Sequence, residues 1–167
     1  KENNLDVGFA FDGDADRCLA VDNTGKEVDG DKIMYLLANK LKREGALDNN
    51  TLVTTIMSNS GLTKALKNIG INNVQTKVGD RFVFEKMQSD GYSLGGEQSG
   101  HIIIKKYATT GDGVLTAIMV VEEMLDSKQS LAKLVSPVKL LPQKLKNVRV
   151  TNKTSRSEER FSRNAET

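Results

Sequence analysis

The stretch TLVTTIMSNSGLTKALKNIGINNVQTKV, from Thr51 to Val78, decides the fold. Leu52 to Met57 is rich in β-branched residues and reads as a strand. Leu62, Ala65, Leu66 and Ile69 then recur at helical spacing, and Gly70 supplies a stop. Val74 to Val78 reads as a second short strand. Strand, helix and strand in such close succession make a βαβ unit, whose strands run parallel.

The pattern continues on both sides. Downstream come a helix from about Arg81 to Gln88, a strand entering at Ser93 and Leu94, and another from His101 to Ile104. A helix from Asp112 to Asp126 follows, carrying Val114, Leu115, Ile118, Val121, Met124 and Leu125. Upstream, Asp31 is the expected cap of a helix bearing Ile33, Leu36, Leu37 and Leu41, which Gly45 can end. Before it, Val7 to Phe11 reads as a buried strand and Cys18 to Val21 as a second, with turn chemistry at Asp22 to Gly25. The fold class is α/β: a mixed, mostly parallel sheet flanked by helices. No internal repeat is present, and from Thr151 onward the pattern gives way to polar and charged residues.

Composition narrows the function. Lys and Arg number 24 against 22 Asp and Glu, a formal charge of +2 that leaves no footprint for nucleic acid or an anionic membrane. No apolar run approaches the ~20 residues that span a bilayer. Cys18 is the only cysteine and His101 the only histidine, which excludes disulfide scaffolds, cysteine-rich zinc sites and multi-histidine metal sites. A lone thiol favours a reducing, cytoplasmic setting. The chain opens on Lys1 without an initiating methionine and reads as an excerpt from a longer protein.

Asp12-Gly13-Asp14-Ala15-Asp16-Arg17 is the sharpest chemical signal. Carboxylates at alternate positions after a strand can turn toward one point if the backbone curls, which Gly13 and Ala15 permit. Hard oxygen ligands suit Mg²⁺ or Ca²⁺. An EF-hand loop is excluded, because its sixth position would be Gly and is Arg17, and its twelfth would be Glu and is Asn23. A solvated acidic turn is the plain alternative. Arg17 either pairs with an aspartate or points at an anionic ligand, and bidentate recognition of phosphate is its natural use.

Gly95-Gly96-Glu97-Gln98-Ser99-Gly100-His101 places several donors and acceptors in a glycine-rich loop between strands. Such a set suits a polyhydroxylated ligand, and a polar hairpin turn is the competing reading. His101 fits a structural role as well as a chemical one. Asp80 reads as a helix cap, whereas Arg81 in a first helical turn opposes the positive helix end and calls for an anionic partner. Thr109 to Gly113 also reads as a capping segment, and Ser58-Asn59-Ser60-Gly61 stands where a strand hands over to a helix, a usual place for ligand-binding loops.

Together these segments resemble the α-D-phosphohexomutase family, most closely its bacterial phosphoglucosamine mutase branch. The resemblance rests on FDGDADR (Phe11 to Arg17), VDGD (Val28 to Asp31), MSN (Met57 to Asn59), VGDRFV (Val78 to Val83), GGEQSGHI (Gly95 to Ile102) and TTGDG (Thr109 to Gly113), in that order. It implies a four-domain parent that interconverts a hexosamine 6-phosphate and 1-phosphate through a bisphosphate and a phosphoserine, in amino-sugar and cell-wall precursor synthesis. By resemblance, Asp12, Asp14 and Asp16 hold Mg²⁺ and Arg17 contacts the transferring phosphate. Glu97, Ser99 and His101 bind the sugar, and Asp80 and Arg81 face the reacting end as candidates for proton transfer. Ala15 stands where the family often has glycine.

The resemblance divides the chain into the end of metal-binding domain two (1–22), a sugar-binding domain three (23–140), a linker strand toward domain four (141–151), and a tail at 152–167 that is disordered or non-native. No segment resembles the serine-bearing loop of domain one or the phosphate loop of domain four. The expected partners are therefore a hexosamine phosphate and those two missing domains, with a homodimer of the parent admitted and neither nucleic acid nor membrane. The fragment alone is expected to be inactive. A phosphomannomutase or phosphoglucomutase fragment, or a non-catalytic metal- or sugar-phosphate-binding module, stays open beside this reading.

Overall fold

A computed structural model describes residues 5–144 and 146. The expected linker strand therefore lies mostly outside the described residues, which show no strand over 141–144, and the tail at 152–167 lies wholly outside them. The first sheet is antiparallel, in the order β1 (Val7–Phe11), β2 (Cys18–Asp22), β3 (Glu27–Val28). The second has four strands in the order β5 (Asn72–Thr76), β4 (Thr51–Thr55), β6 (Leu94–Gly96), β7 (Ile102–Ile104). Its strands β5 and β6 run parallel to β4, and β7 returns antiparallel to β6, giving a mixed, mostly parallel sheet.

The helices are α1 (Gly30–Arg43), α2 (Ser60–Asn68), α3 (Asp80–Asp90), α4 (Gly113–Ser127) and the short α5 (Leu131–Leu134). Side-chain alternation in the strands divides the core in two. Leu52, Leu94, Ile102 and Ile104 face a large cluster with Ile33, Leu37, Leu62 and Leu66 of α1 and α2. Val53 and Ile103 face the opposite way, onto Val83 and Met87 of α3. β4 is buried along its whole length because helices cover both faces. The chain moves from β5 past β4 to β6 by way of α3, the crossover that a mostly parallel sheet requires.

Glycine ends two of the helices as expected: Gly45 and Gly70 adopt positive φ just beyond α1 and α2. Three expectations are corrected. β1 forms a strand but is not buried, because it is the edge of its sheet and pairs only with β2 among the described residues. The cap of α1 is Asp29, whose carboxylate accepts from the Lys32 N–H, and the cap position of α3 is Gly79, with Asp80 its first residue. α4 buries Gly113, Thr116, Ala117, Met119, Val120 and Glu123, while Val114, Ile118 and Leu125 are left exposed. The small residues bring α4 close to its neighbours, and Glu123 is held by the Arg43 guanidinium at 2.7 Å.

Asp31, in the first turn of α1, is fully buried. Oδ2 accepts from the Asn59 N–H at 2.7 Å, and Oδ1 has no hydrogen-bond partner. Burial drives the Asp31 carboxyl up to about 6, although the Asn59 N–H and the neighbouring Ser58 hydroxyl pull the other way. The folded chain therefore keeps its proton to higher pH than the unfolded chain does. This group's contribution to stability is complete below the ordinary carboxylate pKa of 3.8 and is lost as pH rises through about 6. The difference amounts to roughly 3 kcal/mol. Asp31→Asn should gain on the parent by up to that amount between pH 4 and 7, measured as urea midpoints across the range. Parallel pH profiles for the two proteins would remove Asp31 as the source.

Candidate functional site

The aspartate loop joins β1 to β2. Ala15 takes φ +57°, and its N–H donates to the Asp12 carbonyl at 3.2 Å, so the curl is made at Ala15 and not at Gly13. Ala15 thus occupies a conformation that glycine adopts more easily. The turn brings one carboxylate oxygen from each of Asp12, Asp14 and Asp16 within 4.8 Å of the others. Asp12 accepts from the Arg17 backbone N–H at 3.2 Å. Desolvation would raise the Asp12 carboxyl, but that N–H and the Arg17 guanidinium hold it below its ordinary value. Asp16 Oδ1 is buried and has no hydrogen-bond partner. Three converging hard carboxylate oxygens fit a divalent cation.

Arg17 pairs with the aspartates and also lines a cleft. Its Nε stands 3.5 Å from Asp12 and 3.8 Å from Asp16, while the half-exposed side chain reaches the wall of an open cleft. That cleft has a volume of about 530 Å³, in the range of small-molecule sites. Glu97, Gln98 and Ser99 line it together with Leu19, Met57 and Val78. Thr55 ends β4 and Met57 follows it, Val78 follows β5 and Glu97 follows β6. The cleft therefore opens at the carboxyl ends of the parallel strands, where α/β sheets bind ligands. Glu97 is preset by the Gly79 N–H, which donates to Oε1 at 3.0 Å.

The remaining candidates are placed elsewhere. His101 turns inward, its Nδ1 3.0 Å from Asp16 Oδ2, and is absent from the cleft walls. Asp80 and Arg81 stand exposed at the start of α3, off those walls, and the anionic partner of Arg81 is Glu85 one turn on, at 2.7 Å. The Ser58–Asn59 turn is a clamp. Asn59 caps α2 through Gly61, and its side chain donates to the Leu141 carbonyl and accepts from the Leu141 N–H.

What the sequence reading missed is how closely the backbone segments approach. Gly113 N–H donates to the Ala15 carbonyl at 2.9 Å and Cys18 N–H to the Gly100 carbonyl at 3.1 Å. Gly30 N–H donates to the Gln98 carbonyl at 3.0 Å. A Cβ on Gly113 would stand 2.5 Å from the Arg17 carbonyl oxygen, and one on Gly30 would stand 2.2 Å from that of Glu97. TTGDG is therefore both a helix cap, through Asp112, and a brace for the aspartate loop. The glycines in VDGD and TTGDG were the available signal.

Three comparisons bear on this arrangement. The family profile described as "Phosphoglucomutase/phosphomannomutase, alpha/beta/alpha domain III" matches residues 29–140. The chain is 54% identical over 92% of its length to a phosphoglucosamine mutase of Lachnospira eligens. It is 55% identical over 91% to one of Streptococcus pyogenes. It spans about a third of the length of these curated relatives, 34% in each case. Among solved structures, a phosphoglucomutase/phosphomannomutase family protein from Burkholderia thailandensis superposes with a TM-score of 0.72 at 26% identity, over 83% of this chain and 30% of that one. An N-acetylphosphoglucosamine mutase from Aspergillus fumigatus, crystallised with GlcNAc-6P and magnesium, shares the fold at a TM-score of 0.69 and 19% identity, over 87% and 38% of the two chains.

The close approach at Gly113 can be tested against the open surroundings of Gly13, where an added Cβ meets nothing within 4 Å. Gly113→Ala should destabilise the chain by about 2 kcal/mol or more, because only backbone could move aside. Gly13→Ala should stay within about 0.5 kcal/mol of the parent. Urea unfolding at constant slope measures both.

Proposed function

The chain belongs to the phosphoglucomutase/phosphomannomutase family, and on that premise we propose that it supplies the metal-binding and sugar-binding parts of a phosphoglucosamine mutase. The parent enzyme would interconvert glucosamine 6-phosphate and glucosamine 1-phosphate, serving amino-sugar and cell-wall precursor synthesis. The observation that carries this reading is the convergence of Arg17, Glu97, Gln98 and Ser99 on one cleft beside the aspartate cluster. The narrower sugar assignment is supported by the identity of 54–55% to phosphoglucosamine mutases.

The geometry supports the following division of labour. Asp12, Asp14 and Asp16 would hold Mg²⁺, which when bound offsets their mutual repulsion and polarises a phosphoryl oxygen. Arg17, with Nε turned to Asp12 and Asp16, offers the outer part of its guanidinium to phosphate oxygens at the cleft. Glu97 keeps Oε1 on the Gly79 N–H and turns its second oxygen to a sugar hydroxyl, with Ser99 as a further partner. Leu19, Met57 and Val78 give the apolar CH face of the ring a surface to rest on. A phosphoserine elsewhere in the parent would pass its phosphoryl group to the free hydroxyl, forming a bisphosphate, and take back the phosphoryl group from the other end. Residues 1–22 would then end the parent's second domain, residues 23–140 form its third, and residues 141–151 lead toward its fourth.

The test is turnover of glucosamine, glucose and mannose 6-phosphates by the complete parent protein, side by side. A clear preference for the glucosamine ester is expected, and comparable rates on all three would overturn the narrower assignment. In the same protein Asp14→Ala should abolish turnover, whereas Glu97→Ala should chiefly raise KM. On the chain alone, Mg²⁺ should raise the melting temperature of the parent sequence but not that of Asp14→Ala, because an ion bound only to the folded form stabilises it by mass action.

A further inference from the structure

Gln98 stands half-buried on the wall of the cleft and is held at two points by the chain entering α1. Its carbonyl accepts from the Gly30 N–H at 3.0 Å, and its side-chain Nε2 donates to Asp29 Oδ2 at 3.4 Å. Asp29 is itself fixed, because its Oδ1 accepts from the Lys32 N–H at 3.1 Å as the cap of α1. A carboxylate can only accept, so the Gln98 amide turns its NH₂ end to Asp29, and Oε1 is the polar atom left for a ligand. Glu97 is placed alike one residue earlier. The Gly79 N–H occupies its Oε1, and its second oxygen is what remains.

The cleft therefore offers acceptors in excess. Glu27, Asp29 and Glu97 line it, and Arg17 is the one cation among the described residues that do so. A hydroxyl on a ligand brings one donor. An ammonium group brings three donors, no acceptor, and a charge opposite to that of the carboxylates on the walls. We propose that Gln98, oriented by Asp29, is a specificity-determining residue that accepts through Oε1 from the ammonium group of an amino-sugar phosphate. The hydroxyl counterpart of that sugar supplies a neutral donor in its place and loses the charge-assisted part of the contact. The inference rests on reading the cleft as the sugar site of a phosphoglucosamine mutase, and it names the contact that sets the amino sugar apart.

The test is the ratio of kcat/KM for glucosamine 6-phosphate to that for glucose 6-phosphate, measured on the complete parent protein. Gln98→Leu keeps most of the bulk and loses the acceptor, and the ratio should fall roughly 10-fold. Asp29→Asn keeps a good helix cap but puts an NH₂ group within reach of Gln98. The Gln98 amide is then free to reverse, and the ratio should fall in the same direction, a change that lost packing would not produce. An unmodified parent that prefers glucosamine 6-phosphate, with a ratio unmoved in both variants, would overturn the role of Gln98 and leave the proposed function standing. An unmodified parent without that preference would overturn both. Because either variant could fail to fold, 2-deoxyglucose 6-phosphate supplies a readout on the unmodified protein. It has no donor on the carbon that bears the amine, so its kcat/KM should lie below that of glucose 6-phosphate. Equal values for the two would overturn an acceptor at that position.

Discussion

Backbone contacts that only glycine permits hold the aspartate loop against the α/β body, and the rest of the site depends on them. Gly113 at the start of α4 hydrogen-bonds Ala15, Gly100 accepts from Cys18, and Gly30 at the start of α1 hydrogen-bonds Gln98. At each of these glycines an added Cβ would fall within 2.5 Å of a carbonyl oxygen. The loops that converge on the cleft are thereby fixed relative to one another by main chain. Flexible side chains could not hold the three carboxylates, Arg17 and Glu97 in register so firmly, and a site that acts through electrostatics gains most from such preorganisation.

Charge is distributed to match. The aspartates crowd where a cation would relieve them, and Arg17 lies alongside to offset part of the repulsion. Away from the cleft the opposite device appears. The Lys40 ammonium, on a side chain only 3% exposed, meets Glu44, Glu122 and Asp126 at 2.8 to 3.3 Å. Desolvation alone would lower Lys40, but these three partners hold it well above its ordinary value. With Arg43 on Glu123, this seam ties α1 to α4. The two helices whose N-termini brace the cleft loops are therefore also joined through side chains farther along.

Much of this was legible in the sequence, and the exceptions share a cause. The βαβ core, the glycine stops at Gly45 and Gly70, the aspartate loop and the glutamate loop are all local patterns, and local patterns survive without knowledge of neighbours. The sequence pattern points to Asp31 as the cap of α1, whereas Asp29 fills that place. Only the Asn59 N–H, delivered from another element, decides that Asp31 turns inward. α4 is apolar on more than one face, so its period could not say which side would meet α1. His101 read as a loop residue beside sugar contacts, and its hydrogen bonds to Asp16 and Gly111, 85 and 10 positions away, could not be read from that loop.

The strand leading into the aspartate loop has a consequence for how the chain behaves in concentrated solution. β1, the sequence Val-Gly-Phe-Ala-Phe, carries no charge, proline or bulge, and one side of its main chain is unpaired among the described residues. Natural edge strands are blunted by such devices because a bare edge invites another strand to add on. With Phe11 and Val21 exposed on the same ribbon, strands from neighbouring molecules could extend the sheet in register. Where nothing else of a parent chain covers this edge, the ribbon that aims the carboxylates would also be open to ordered, concentration-dependent addition of strands from the sheet's rim.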